Sequence, residues 1–288
     1  MEKSLTIRTD LCTRCGRCVK VCPSIIFTQN SPKDPITIEN FDSCIECGHC
    51  ADVCPEGAVN HYLFPSHKIH AIDYDQMPTP EQMMLIMAAR RSNRTFSNKE
   101  IPAVWLDLIV RAANMAPTAS NSQNVGFVLV TDPKKIAAIN DFTLSIFGGL
   151  VRKLTNPIVK MFVYPFAKPL YRYVPMFKRM KADQNAGKDR ILRGAKVVLL
   201  IHTPDSSRFG AQDANLAYQN ASLMAQSLGV SQMYTGFVLT AIRQDKKHKL
   251  NAIFGLDGRT IHAGMALGMP ALRYPNYVDR GSVDLTRF

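Results

Sequence analysis

The chain has 288 residues, 46% of them hydrophobic, and carries 35 Lys and Arg against 23 Asp and Glu for a formal charge of +12. That length exceeds one small module and leaves room for a second domain with its own core, while no uncharged apolar run approaches the eighteen or so residues of a membrane-spanning helix. The cations are dispersed, with only short clusters such as Lys246, Lys247 and Lys249, so nucleic-acid binding is not expected; an anionic cofactor, an acidic redox partner or an acidic membrane surface accounts for the excess.

All eight cysteines fall into two copies of one spacing, C-x2-C-x2-C-x3-C-P: Cys12, Cys15, Cys18 and Cys22 before Pro23, then Cys44, Cys47, Cys50 and Cys54 before Pro55. Two-residue gaps let one tight loop deliver three thiolates, and the fourth must come from elsewhere. The run matches the bacterial ferredoxin pattern, in which the fourth cysteine ligates the other cluster. That resemblance implies one [4Fe–4S] cluster on Cys12, Cys15, Cys18 and Cys54 and a second on Cys44, Cys47, Cys50 and Cys22. Paired structural zinc knuckles are the alternative, although they call for neither the third cysteine at the same step nor the trailing Cys-Pro. The opening MEKSLTIRTD is polar and unlike a signal peptide, so a disulfide framework is disfavoured and a reducing cytoplasmic location is expected. His49, His61, His67 and His70 fit no ligand spacing and read as surface or packing residues.

Between the cysteine runs, branched residues at 24–28 and 36–39 flank the breaker Asn30-Ser31-Pro32-Lys33-Asp34-Pro35, predicting strand, turn, strand. Segments 5–8 and 59–63 can pair to close the module, which is expected to occupy 1–64. A linker over 65–80 precedes a larger domain over 81–288. Thr79, Pro80 and Glu81 supply a helix start, and a second helix is predicted over 103–114. Strands are predicted at 127–131, 197–202 and 261–267, with a long alanine-rich helix over 211–228. Helices interspersed with strands make this domain α+β.

After the first of these helices comes Arg90-Arg91-Ser92-Asn93-Arg94-Thr95-Phe96. Guanidinium forks and a hydroxyl so close together suit a phosphate, although arginines also complement a helix C-terminal dipole. Ala116-Pro117-Thr118-Ala119-Ser120-Asn121-Ser122-Gln123 then packs small polar groups into one loop before a strand, followed by Asp213-Ala214-Asn215-Leu216-Ala217, Gln219-Asn220, Gly229-Val230 and Thr235-Gly236-Phe237. In this order the motifs resemble the FMN-dependent nitroreductase family over about residues 80 to 280, so the whole chain resembles a ferredoxin–nitroreductase fusion. The resemblance implies an α+β homodimer with FMN at its interface. Arg90, Arg91, Ser92 and Arg94 would hold the phosphate and the ring's O2 side; Pro117, Thr118, Ser120 and Asn121 would come from the partner subunit. The backbone of Thr235 and Gly236 would approach flavin N5. Arg280, with Arg273 second, would reach the phosphate, and Arg190 would place a cation near the ring. Two departures are visible: Gln123-Asn124-Val125 replaces a common Gln-Pro-Trp, and Thr235 stands where an acidic residue is common.

Residues 142–181 interleave aromatics with cations, which suits a lid, a contact with the partner subunit, or a basic aromatic face on a membrane surface. Prolines at 157, 165, 169 and 175 exclude one continuous helix. The expected function is an oxidoreductase in which the clusters pass electrons to FMN. It would draw on an external low-potential donor, ferredoxin-like or NAD(P)H, and reduce a small electron-poor acceptor such as a nitroaromatic or quinone. No side-chain nucleophile is expected. A dehalogenase or enoate-type reductase, or an electron carrier or redox sensor acting on a protein partner, are the alternatives.

Overall fold

A computed structural model describes residues 3–288. The chain divides into two compact units, one of Met1–Pro78 with Ala119–Ser122 and one of Thr79–Thr118 with Gln123–Phe288.

In the first unit, β1 (Leu5–Ile7), α1 (Arg17–Val21), β2 (Phe27–Thr28), β3 (Thr37–Ile38), α2 (His49–Asp52) and β4 (Val59–His61) follow in order. The two predicted pairings are both present: β1 runs antiparallel to β4 with Thr6 opposite Asn60, and β2 antiparallel to β3 with Phe27 opposite Ile38. The strands are shorter than the branched segments that predict them, because so few residues surround each cysteine loop. Their inward side chains, with Ile26, Phe27 and Val59, form a small core that includes Cys18 and Cys50.

The second unit opens with α3 (Pro80–Ala89), whose start is fixed by a capping box between Thr79 and Gln82. Then come α4 (Ala103–Asn114), β5 (Gly126–Val130), α5 (Pro133–Thr155), α6 (Pro157–Tyr171), α7 (Val174–Asn185), β6 (Val197–Pro204), α8 (Gly210–Ser227), β7 (Ser231–Tyr234), α9 (Gly236–Gln244), α10 (Lys249–Phe254) and β8 (Arg259–Gly268). The strands form one antiparallel sheet in the order β5-β6-β8-β7. Strand β6 is buried on both faces, so its side chains alternate between two cores. Val198 and Leu200 join one with Phe142, Phe147, Phe177 and Val238; Val197, Leu199 and Ile201 join the other with Leu106, Ile109, Ala217 and Ala221. The sheet therefore lies between helical layers, a mixed α and β domain as expected. Strand β7 escapes the sequence reading because Ser231-Gln232-Met233-Tyr234 has no apolar alternation of its own.

Candidate functional site

Each cysteine loop makes its turn the same way. Arg14 and Glu46, equivalent in the repeat, both take a left-handed backbone, and so do Gly16 and Gly48 two residues later. The chain then enters α1 or α2, whose first turn buries Cys18 or Cys50. The last cysteine of each run accepts a backbone N–H from four residues on, Ile26 to Cys22 Sγ at 3.4 Å and Ala58 to Cys54 Sγ at 3.2 Å. Those bonds aim the thiols back across the module.

The consequence is a crossed partition. Cys12, Cys15, Cys18 and Cys54 line one small cavity, and Cys22, Cys44, Cys47 and Cys50 line another. No three His, Cys, Asp or Glu side chains among the described residues form a group suited to a single metal ion. A cubane does not need one, since each of its irons takes one thiolate. The donor set, four soft thiols about each of two cavities, fits the clusters. Burial pushes the Cys50 thiol up to about 12 and also raises Cys18 and Cys44, whereas the Arg17 backbone N–H holds Cys15 down. A bound cationic metal centre overrides such burial costs by stabilising the thiolates.

One histidine does more than pack. His61 is 1% exposed and burial lowers its pKa, favouring the neutral ring. Leu63 N–H donates to His61 Nδ1 at 3.2 Å, leaving the ring proton on Nε2, which lies 3.7 Å from Cys44 Sγ. His61 thus donates to a thiol of the second cavity. Its position on β4, outside any cysteine spacing, hides this from sequence.

In the second unit the arginine loop is tied to the sheet. Ser92 bridges Gln232 in parallel. Gln232 is buried, donates from Nε2 to the Arg91 carbonyl at 3.2 Å and accepts from Tyr218 Oη at 2.8 Å. Burial drives Tyr218 up to about 12, so it stays a donor. Asn93 Nδ2 donates to Ser231 Oγ and to the Leu272 carbonyl, both at 2.8 Å. Asn93 and Gln232 are missed by motif reading, since nothing in their spacing marks a buried amide. Together they set the loop against β7, the strand that leads into Thr235 and Gly236. Thr235 donates its backbone N–H to Gly264 at 3.0 Å, and Gly236 opens α9 with its backbone exposed.

A cavity of about 420 Å³ lies beside this loop, lined by Arg91, Asn93, Ser231 and Arg273 among others and by no Asp or Glu. Two guanidiniums without a carboxylate suit a phosphate. The structure thus places Arg273 with Arg91, whereas Arg280 lies in exposed coil beyond the last strand. Arg90 caps the end of α3, and Arg94 is exposed with Nη1 donating to the Ser92 carbonyl. Arg190 is engaged elsewhere, in a 2.8 Å ion pair with Asp183. Pro117 and Thr118 follow α4, with Thr118 Oγ1 accepting from Gln123 N–H. Ser120 and Asn121 belong to the first unit, where Asn121 Nδ2 donates to the Ile45 and Glu46 carbonyls.

Comparison with known proteins agrees with both units. Residues 87–269, more than half of the chain, match the nitroreductase family. The chain belongs to the nitroreductase family. Residues 11–59 match the 4Fe-4S dicluster domain, so this nitroreductase is fused behind a ferredoxin-type module. A curated relative, FMN reductase (NADPH) of Bacillus subtilis (strain 168), is 26% identical over 174 residues, which is 58% of this chain and 60% of that protein. The match therefore spans less than two thirds of the relative's length. Among solved structures, a nitroreductase with bound FMN from Bacteroides fragilis superposes with TM-score 0.52 at 18% identity over 72% of this chain and 99% of that one. One from Desulfitobacterium hafniense, also with bound FMN, gives 0.53 at 18% identity over 68% and 93%. These likenesses establish the fold of the nitroreductase domain.

Proposed function

We propose that this nitroreductase is an FMN-dependent iron–sulfur oxidoreductase in which two [4Fe–4S] clusters deliver electrons to FMN for reduction of an electron-poor acceptor, nitroaromatic or quinone-like. One observation carries the reading: eight thiols sort into two cavities of four in a chain whose other unit is a nitroreductase domain. Bound cubanes pass one electron each, and FMN takes one or two. Reduction of a nitro group to nitroso consumes two electrons and two protons and releases water, so one electron per cluster with protons from solvent balances the step.

Within this reading Arg91 and Arg273 take the FMN phosphate, supported by Arg90, Ser92 and Arg94. Arg273 is preferred to Arg280 because it shares the cavity with Arg91. The backbone of Thr235 and Gly236 would approach ring N5 of bound FMN. Pro117, Thr118, Ser120 and Asn121 come from the second subunit of a homodimer. Arg190 is the further cation near the ring, its guanidinium oriented by Asp183. The Bacillus relative's NADPH activity and the FMN in the solved neighbours support a reductase. The electron donor is a low-potential ferredoxin or NAD(P)H.

Anaerobic titration of the reconstituted protein tests this. About eight irons and one FMN per chain are expected, with reduced clusters reoxidised when nitroaromatic or quinone is added to the FMN-loaded protein but not to the FMN-free protein. Clusters that reduce yet never discharge into the flavin would overturn the reading.

A further inference from the structure

Eight Lys and Arg residues and no Asp or Glu lie between Asp141 and Asp183. Within this segment α6 is docked by one side only. Its neighbours α5 and α7 send Phe147, Leu154, Val174, Phe177 and Met180 into the interior. On α6 itself Val159 and Val163 are half-buried, but Ile158, Phe162 and Phe166 recur every four residues with exposures of 66%, 64% and 91%, and Met161 beside them is 65% exposed. Side chains four apart share a helix face, so these form one apolar stripe on the outside of the unit. Contiguous exposed apolar surface of this kind marks an interaction site.

We propose that this stripe rests on the surface of an anionic phospholipid bilayer, with the aromatics at the headgroup level and the surrounding cations over acidic lipid heads. The charge pattern selects this occupant. A second copy of the chain packing on the same face would set one acid-free basic segment against another, since a twofold contact pairs a patch with itself. A lipid surface of opposite sign complements both the apolar stripe and the cations. Among the described residues only Arg179 of the eight is in an ion pair, with Asp183 at 4.0 Å; Lys160 lies over the Tyr164 ring, and the segment keeps its excess of positive charge for an anionic surface. No helix among the described residues is long and apolar enough to cross a membrane, and Pro165 and Pro169 bend α6 where Ala167 leaves helical geometry. The contact is therefore interfacial.

Flotation of the cofactor-loaded full chain with vesicles tests this. With 30:70 phosphatidylglycerol:phosphatidylcholine at low salt most of the protein floats; with pure phosphatidylcholine, or with anionic vesicles in 0.5 M salt, binding falls at least tenfold. The double variant Phe162→Glu/Phe166→Glu loses at least tenfold in affinity for the anionic vesicles, with its iron and FMN content unchanged. Because both side chains already face solvent, folding is not at risk. Three results would overturn the proposal: wild-type protein that does not float on anionic vesicles, a double variant that floats equally well, or a double variant whose mass by light scattering halves while vesicle binding is absent in both forms. The last would make the stripe a protein contact.

Discussion

The two cysteine loops share their spacing and their backbone turns but differ in every charged position of the turn and the short helix after it. Where the first loop has Arg14, Arg17 and Lys20, the second has Glu46, His49 and Asp52. The first cavity adds Thr13 and Glu56, whereas the second adds the buried imidazole of His61. Ligand spacing decides what can be bound. The surroundings decide how readily it is reduced, because hydrogen bonds to sulfur and nearby charge set cluster potentials. Two equal ligand sets in unequal surroundings give two unequal electron carriers, which suits transfer in one direction.

The strongest test of the crossed partition removes one returning cysteine. Cys54→Ser is expected to abolish the cluster held by Cys12, Cys15 and Cys18, and Cys22→Ser the cluster held by Cys44, Cys47 and Cys50. Each variant should fall from about eight irons to about four, and the surviving spectrum should be that of the other loop. If Cys54→Ser instead silenced the loop at Cys44, the assignment would be wrong.

The turns break unequally. Gly16 and Gly48 have φ of 70° and 79°, a backbone that costs other residues about 1–2 kcal/mol. A Cβ at Gly16 would also come within 2.7 Å of Gln29 Oε1, whereas one at Gly48 would sit 3.4 Å from the Phe64 ring. Gln29 cannot swing aside cheaply, since its Nε2 donates to the Arg14 and Asp34 carbonyls at 3.0 and 2.8 Å. Gly16→Ala should therefore lower the melting temperature of the apo-module more than Gly48→Ala, and Gln29→Ala should bring the two closer together.

These contrasts mark what was legible in the sequence. Thiol spacing is read directly, because a cubane constrains ligands at fixed steps along one chain. The strand pairs of the first unit follow from branched runs on either side of a breaker. In the second unit the helix start at Thr79 and the apolar strand β6 were equally plain. What spacing could not give is contact across the fold. His61 reaches Cys44 only because β4 pairs with β1, and Gln232 meets Arg91 only because β7 closes the sheet. Similarly, Arg273 joins the arginine loop through the chain reversal after β8, which a count from the C-terminus does not locate. The aromatic segment declared its composition, but only the packing of α5 and α7 shows which of its side chains face outward.

His61 provides a sharper test of the inequality. With the second cluster bound, its Nε2–H would stabilise the more negative, reduced state through Cys44. His61→Phe keeps a ring among Phe41, Tyr62 and Phe64 but removes the donor. Loss of a hydrogen bond worth about 1 kcal/mol corresponds to roughly 40 mV for one electron. The second midpoint should fall by about that amount in a redox titration followed by electron paramagnetic resonance, the first should stay fixed, and His61→Gln should restore part of the difference. Movement of both midpoints together would mean general disturbance of the module.

The smallest effect concerns the exposed charges. Arg17 lines the first cavity, and after its backbone N–H its charge also favours the thiolate of Cys15; in the second loop Asp52 stands at the place equivalent to Lys20 and carries the opposite charge. A unit charge several ångströms away in water is worth about 0.5 kcal/mol, so Arg17→Gln should lower the first midpoint by roughly 20 mV and Asp52→Asn should raise the second by a similar amount. Both shifts should fade in 1 M salt, where screening acts within about 3 Å, while the His61 shift should persist because that donor is buried. Salt therefore separates the two causes of the inequality. If the Arg17 and Asp52 shifts survived high salt, the loops would differ through altered backbone geometry, and the charge reversal between the repeats would not be the reason for their unequal potentials.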